Sequence, residues 1–371
     1  MRPLRVAVGV VAGTLGGPAT YGVELVRAMV ALDQPGLRLE VLTDRPEAFT
    51  PSAGLGVHRV ALPSPWAQPL WDNVAIPRAL RGLDVQLYHG TKHALPFGGL
   101  RRGVRRVVTI HDLAVFAEAA TFTRAQRWQL RVHLAHAARR ADRILCVSGH
   151  AALDVTRRLG VAADRVAVIP NGVASHFRPP TAEVRARTRQ RLGVGPGEIL
   201  CACVGTAQPR KRIEVALAAV GELRARGLPL RLVVAGRRRP GYRPPWLEAP
   251  PAGVLLAGEL AAAELVDLYG AADLMVSPST FEGFGLTFAE AMACGCPVVG
   301  VATSSVPEVV GRGGLLVERS DPGLIAGAIE RLASEPELRR ELGRAALDQA
   351  TGFSWDRAAR LTLEAYRVAL A

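Results

Sequence analysis

The chain has 371 residues, of which 49% are hydrophobic; that is apolar content for two α/β cores of ordinary size, and one domain would be unusual. Its formal charge of +13 points to anionic partners, but arginines are spread through nearly every segment, with no lysine-rich tail or aromatic-interleaved basic patch. That distribution argues against a nucleic-acid reader, and no run of about 18 apolar residues exists to span a membrane.

Arg2 and Arg5 precede an apolar run, but the run is short and a helical pattern follows at once, so residues 4–11 read as a buried strand rather than a leader. The turn GTLGGPAT, a helix over 21–32 and a second strand over 37–42 complete a βαβ opening. Gly9, Gly13, Gly16 and Gly17 do not fall as G-x-G-x-x-G, which sets aside a dinucleotide-dependent dehydrogenase. Strands are expected over 85–89, 106–111 and 144–148, in a parallel sheet covered on both faces. Ligands bind beyond the carboxyl ends of such strands, where His111-Asp112 stands. The residues alone leave open a structural couple or a catalytic one. A long helix over 122–143 carries Arg124, Arg127 and Arg131 in one stripe near Trp128, which suits either a solvated face or docking on anionic lipid.

Residues 178–198, rich in proline and charge, read as a linker. The strand–helix pattern then repeats over 199–204, 213–224 and 230–235. The loop GTAQPRKR between the first two places Arg210 and Lys211 before a helix. Of 46 basic residues, only Lys92 and Lys211 are lysines, so a compact ammonium is informative where this chain uses one. A proline-rich loop over 240–251 leads to a strand over 254–256. Residues 274–276 form a short buried strand, SPSTFEGFG a turn-rich loop, and 286–294 a helix. Glu282 then lies in the loop and Glu290 about a turn inside the helix. Gly283 and Gly285 let the backbone approach a ligand, and the N–H groups of Gly285, Leu286 and Thr287 sit at a positive helix end, an anion site. An ordinary amphipathic helix after a glycine turn, with two surface glutamates, would read the same way. A terminal amphipathic helix covers 352–370. The five cysteines lack partners at metal-ligand spacing and read as buried thiols. No Asp-x-Asp occurs, so no metal bridging a diphosphate is expected.

The stretch SPSTFEGFGLTFAEAMACGCPVV resembles the Glu-x7-Glu signature of the retaining GT-B glycosyltransferases, the glycosyl transferases group 1 type (glycosyltransferase family 4). The likeness continues through CGCPVVGVATSSVPEVV and GGLLVERSDPGLIAGAI, and includes TIHDLAVF, RVAVIPNGVASHF, GTAQPRKR and GFSWDRAARLTLEAY; it thins before residue 100. The resemblance implies an α/β fold of GT-B architecture, two doubly wound Rossmann-like parallel-sheet domains facing across a cleft. Residues 1–180 would form the acceptor-side domain and 181–353 the donor-binding domain, with the helix 354–371 packing back on the first.

The activity implied is retaining transfer of a sugar from a nucleoside diphosphate sugar, such as GDP-mannose or UDP-glucose, to a hydroxyl on a glycan, lipid-linked or small-molecule acceptor. It implies no cofactor and no metal. The chain is expected in the cytoplasm, at the inner face of the membrane if the arginine stripe docks there, and no nucleic-acid partner is expected. By the same resemblance, His111 touches the transferred sugar, Gly16 and Gly17 look toward the diphosphate, and Lys211 with Arg210 neutralises the leaving group. Thr206 stands where many relatives carry an arginine, and Leu260 marks the region that holds the base. Glu282 would hold a sugar hydroxyl. Gly283, Phe284, Gly285, Leu286 and Thr287 would contact sugar and phosphate through the backbone, and Glu290 would accept from the ribose hydroxyls. The alternative is a nucleotide-sugar epimerase, or a non-catalytic sugar-nucleotide-binding protein on the same scaffold.

Overall fold

The computed structural model describes residues 4–13, 16–62, 64 and 67–371; Arg2, and Thr14 and Leu15 of the glycine turn, lie outside these. The chain divides into two compact units, one of residues up to Gly172 together with Ser354–Ala371, the other Val173–Phe353. Each is a doubly wound α/β unit built on an all-parallel sheet.

The first unit holds β1 (Leu4–Val10), β2 (Leu37–Thr43), β3 (Leu55–Arg59), β4 (Leu87–Gly90), β5 (Arg105–Ile110), β6 (Arg143–Cys146) and β7 (Val166–Val168) in the order β3-β2-β1-β4-β5-β6-β7. Central runs such as Val6–Val10, Leu87–Gly90 and Val107–Ile110 are buried on both faces, as expected of strands covered by helices on each side. β1 pairs with β2 on one side and β4 on the other. The winding direction therefore reverses between β1 and β4, and the loops leaving those two strands diverge to leave a crevice.

The helix Trp355–Leu370, capped by the Ser354 hydroxyl, belongs to this same unit. It buries Trp355, Leu363 and Tyr366. The Tyr366 hydroxyl meets His89 Nδ1 at 2.7 Å, His89 Nε2 meets Thr109 Oγ1 at 2.7 Å, and Tyr21 meets the same Thr109 oxygen at 2.8 Å. Burial holds the His89 imidazole down to about 3, so this chain of hydrogen bonds is neutral.

The second unit holds β8 (Ile199–Val204), β9 (Leu230–Ala235), β10 (Val254–Gly258), β11 (Leu274–Ser277), β12 (Val298–Val301) and β13 (Gly314–Val317) in the order β10-β9-β8-β11-β12-β13. Here the winding reverses between β8 and β11. One sequence expectation is corrected. Residues 178–198 are not a plain linker: Thr181 caps a helix Ala182–Arg191, whose Arg185 and Arg189 grip Asp273 at 2.7 and 2.8 Å. The helix has almost no apolar face, so its periodicity is silent, and ion pairs to one partly buried carboxylate dock it instead. The edge strand β3 leaves little trace in the sequence, because LGVHR offers only Leu55 and Val57 as alternating apolar residues and is for the most part half-buried.

All five cysteines are buried and free. Among the described residues no group of three His, Cys, Asp or Glu is arranged to hold a metal, and no helix is long and apolar enough to cross a membrane.

Candidate functional site

The switch point of the second unit is where its charged residues converge. After β8 the chain turns through Gly205 into a 3-10 turn, Pro209–Lys211, and then through Arg212, held at φ 48°, into the helix Ile213–Ala225. After β11 the loop 278–285 runs alongside, and Thr280 N–H donates to the Arg210 carbonyl at 3.0 Å. The two loops are thereby laced together. Lys211 Nζ donates to Glu282 Oε1 at 2.6 Å, and the Arg210 guanidinium lies 3.3 Å from Glu282 Oε2 and 2.5 Å from the Phe281 carbonyl. Lys211 and Glu282 are 9% and 4% exposed, so they form a nearly dry ion pair.

Serines fix this loop from beneath. The Ser304 hydroxyl, on a residue at φ 49°, accepts from Glu282 N–H at 2.8 Å, and the Ser305 hydroxyl lies within donating distance of the Glu282 and Phe284 carbonyls, 2.9 and 3.0 Å. Burial pushes the Glu282 carboxyl up. The charges of Lys211 and Arg210, with hydrogen bonds from Lys211 and the buried Ser279, outweigh that and hold it at about 2. The carboxylate is therefore charged at every physiological pH.

The helix Leu286–Ala293 starts at Gly285, which sits at φ 94° with no side-chain cap. Phe288 N–H donates to the Gly285 carbonyl at 3.0 Å, while the N–H groups of Leu286 and Thr287, at the first two helical positions, are left to a ligand or to water. Thr287 and Glu290, three residues apart, share one face of this helix. Burial pushes the Glu290 carboxyl up to about 8, against the nearby Tyr269 hydroxyl and Lys211. Tyr269 Oη, although beside Glu290, meets no partner in hydrogen-bond geometry, and neither does Thr287 Oγ1. Buried orphan hydroxyls are costly, so this corner is built to receive polar groups. Phe284 is buried and packs edge-on against Phe353 at 5.3 Å, which leaves only its backbone for a ligand. Thr206 follows Gly205 at the β8 exit, and Leu260 precedes Ala261, the cap of the helix Ala262–Ala271 beyond β10.

In the first unit, His111 follows β5 and is buried; its Nε2–H donates to the Thr91 carbonyl at 2.7 Å. Burial and the neighbouring His93 hold it down to about 3. It is thus a neutral imidazole with its proton on Nε2 and a lone pair on Nδ1. Gly16, at φ 94°, caps the helix Gly17–Ala31. The structure accordingly gathers Arg210, Lys211, Glu282, 283–287 and Glu290 at one switch point, and places His111, Gly16 and Gly17 in the other unit. Sequence reading missed Tyr269, Ser279, Ser304 and Ser305. For Ser304 and Ser305 the advance signal was a serine pair shortly after an apolar strand; Tyr269 and Ser279 had none.

What the arrangement can do is bind a compact polyanion. Two cations share one carboxylate beside an uncapped helix N-terminus, leaving net positive potential where N–H groups converge. The family described as Glycosyl transferases group 1 matches residues 198–335, and Glycosyltransferase Family 4 matches residues 15–177. A D-inositol 3-phosphate glycosyltransferase of Thermobifida fusca is 35% identical over 62% of this chain and 56% of its own length, so the match spans little more than half of that relative. One of Nocardia farcinica is 29% identical over all of this chain and 90% of its own. Among solved structures, sucrose-phosphate synthase from Thermosynechococcus elongatus superposes with TM-score 0.80 at 22% identity, over 98% of both chains. Anabaena HepE in complex with UDP and glucose superposes with TM-score 0.77 at 17% identity, over 98% of this chain and 99% of its own. With the two family matches falling one on each unit, and GT-B neighbours spanning both, this chain belongs to the glycosyltransferase family 4, group 1 glycosyltransferases.

Proposed function

We propose that the protein transfers a sugar, with retained anomeric configuration, from a nucleoside diphosphate sugar to an acceptor hydroxyl. The observation that carries this is the Lys211–Glu282–Arg210 cluster beside the uncapped helix Leu286–Ala293. The bond between the anomeric carbon and the diphosphate breaks through an oxocarbenium-like state, and the acceptor oxygen bonds to that carbon from the same face. The acceptor proton passes to a phosphate oxygen. Lys211, Arg210 and the helix N-terminus meet the charge that develops on the leaving diphosphate, so the step needs no metal. Glu282 orients a hydroxyl of the sugar, and Glu290 accepts from the ribose. A relative crystallised with UDP-glucose and curated relatives named for inositol phosphate favour a uridine donor and a polyol acceptor as first probes.

The test is release of nucleoside diphosphate from UDP-glucose and GDP-mannose, with and without chelator, beside a thermal-shift panel of the free nucleotides. A ligand at about 100 times its Kd adds roughly 2.7 kcal/mol. Turnover that survives chelator is expected; loss restored by magnesium or manganese would overturn the leaving-group account.

A second reading, of location, rests on one surface. A groove of about 660 Å³ in the first unit is lined by Phe97, Arg124, Arg127, Trp128, Arg131 and Arg139. The helix Arg124–Arg140 carries no acidic residue, and Trp128 is 71% exposed. This suits peripheral docking on an anionic bilayer. Co-sedimentation with phosphatidylglycerol vesicles but not phosphatidylcholine vesicles, lost in Arg127→Glu/Arg131→Glu, is the expected result.

A further inference from the structure

The first unit has its own switch point, between β1 and β4, and nothing above assigns the segment that leaves β4 there. That segment is Thr91-Lys92-His93. The topological counterpart in the second unit, the loop leaving β11, carries Glu282. Thr91 is pinned back on β1, its N–H and its hydroxyl both donating to the Gly9 carbonyl at 3.3 and 2.6 Å. The chain then turns sharply, and His93 N–H donates to the Thr109 carbonyl at 2.9 Å.

Three observations single out His93. Its φ is 58°, a left-handed conformation that a histidine adopts at a cost. Only four non-glycine residues among those described have positive φ: Asp33, His93, Arg212 and Ser304. Two of the other three flank the Lys211–Glu282 pair, so this backbone strain collects at the switch points. Second, His93 Nδ1 is buried and has no hydrogen-bond partner. Third, its ring packs edge-on against His111, with centroids 5.2 Å apart. Burial keeps the imidazole neutral, despite the pull of Asp112, and Lys92 adds to that. A neutral imidazole with an unmet nitrogen suits a hydroxyl better than an anion.

We propose that His93 is a substrate-contacting residue of the first unit, its Nδ1 pairing with a hydroxyl of a sugar or polyol at the β1/β4 switch point. The inference rests on the glycosyltransferase reading and adds to it a residue and a chemistry. The hydroxyl belongs either to the transferred sugar or to the acceptor, and the experiment separates these sources.

Two variants probe the contact. His93→Gly takes the same φ freely and removes the ring; His93→Asn tolerates the left-handed conformation and returns a hydrogen-bonding group near the position of Nδ1. Nucleoside diphosphate release from UDP-glucose and GDP-mannose is measured with water alone and with added glucose or myo-inositol, alongside thermal unfolding. His93→Gly should lower kcat/KM by about ten- to a hundredfold, with unfolding temperature unchanged or raised, and His93→Asn should recover most of the loss. A loss in the water arm assigns the hydroxyl to the transferred sugar; a loss confined to the added-acceptor arm assigns it to the acceptor. If the parent turns over and His93→Gly matches it in both arms, or if activity and stability fall together without recovery by His93→Asn, the contact is wrong. A parent that releases nucleotide in neither arm overturns the transferase reading itself and this contact with it.

Discussion

Glu282 and Lys211 neutralise one another before any ligand arrives, and this changes what each substitution should do. If the diphosphate is held as proposed, its binding must compete with the carboxylate for the same ammonium. Glu282→Gln removes the competitor, so free nucleoside diphosphate should bind about three- to tenfold tighter in a calorimetric titration, while turnover falls about a hundred- to a thousandfold as the sugar loses its contact. Lys211→Ala should slow turnover on the same scale but weaken the nucleotide. It also leaves the buried carboxylate with Arg210 as its remaining cation, a loss smaller than the roughly 3–5 kcal/mol of a wholly unpaired buried charge. The double variant should regain most of that stability without regaining activity. Nucleotide affinity that falls in Glu282→Gln would show that the ion pair is not the competitor.

Glu290 behaves in the opposite sense. Its folded carboxyl titrates near 8, above the ordinary 4.5, so the free protein binds a proton there that the unfolded chain has lost. Stability from this group is fully present below about pH 4.5 and is lost as pH rises toward 8. Glu282, held near 2, works the other way: its contribution is present above 4.5 and lost as pH falls toward 2. Ribose hydroxyls donating to Glu290 would favour its charged form. Nucleotide binding at pH 7 should therefore release a proton, seen as a binding enthalpy that depends on the buffer's ionisation enthalpy. Glu290→Gln should abolish that dependence and weaken binding about tenfold. Identical buffer dependence in the variant would remove Glu290 from the nucleotide site.

At the scale of elements, the helix Leu286–Ala293 depends on the glycine that starts it. A Cβ on Gly285 would lie 2.7 Å from the Phe288 ring, on a backbone already at φ 94°. Gly285→Ala should cost about 1–3 kcal/mol and lower the unfolding temperature of the second unit by about 2–4 °C for each of these. It should also weaken nucleotide binding, because the first-turn N–H groups lose their aim. Normal melting with normal binding would mean that the helix start tolerates a side chain.

Elements of this kind were legible in the sequence wherever burial dictated identity. The expected strands over 199–204 and 230–235 coincide with β8 and β9, whose apolar runs are covered on both faces. The helix Ala182–Arg191 was hidden because ion pairs to Asp273, not an apolar stripe, hold it down. The candidate site divides likewise. Lys211 stood out by rarity and Glu282 by its glycine-rich setting. Tyr269, Ser304 and His93 acquire meaning only from an unmet hydroxyl, a backbone angle or a neighbour across the sheet, none of which leaves a pattern in the letters.

At the scale of the whole molecule, the first unit is discontinuous. Deleting Ser354–Ala371 uncovers the surfaces that Trp355, Leu363 and Tyr366 bury, and takes from His89 its Tyr366 partner. The first unit should lose its cooperative transition in calorimetry and become open to limited proteolysis, while the second keeps its own. Two unchanged transitions would show that the helix only decorates the first sheet.

That discontinuity also sets an order of events at the ribosome. Chains fold as they emerge, usually first domain first, at about 5–20 residues per second. Here the segment that closes the first unit, Ser354–Ala371, leaves the exit tunnel only after the whole of the second unit. Residues 173–353 occupy on the order of 10–40 s at that pace, time for the second sheet to form while the first stands with one flank bare. The later-made half can be finished before the earlier-made one, and the waiting sheet is the surface that a nascent-chain chaperone would have to shield.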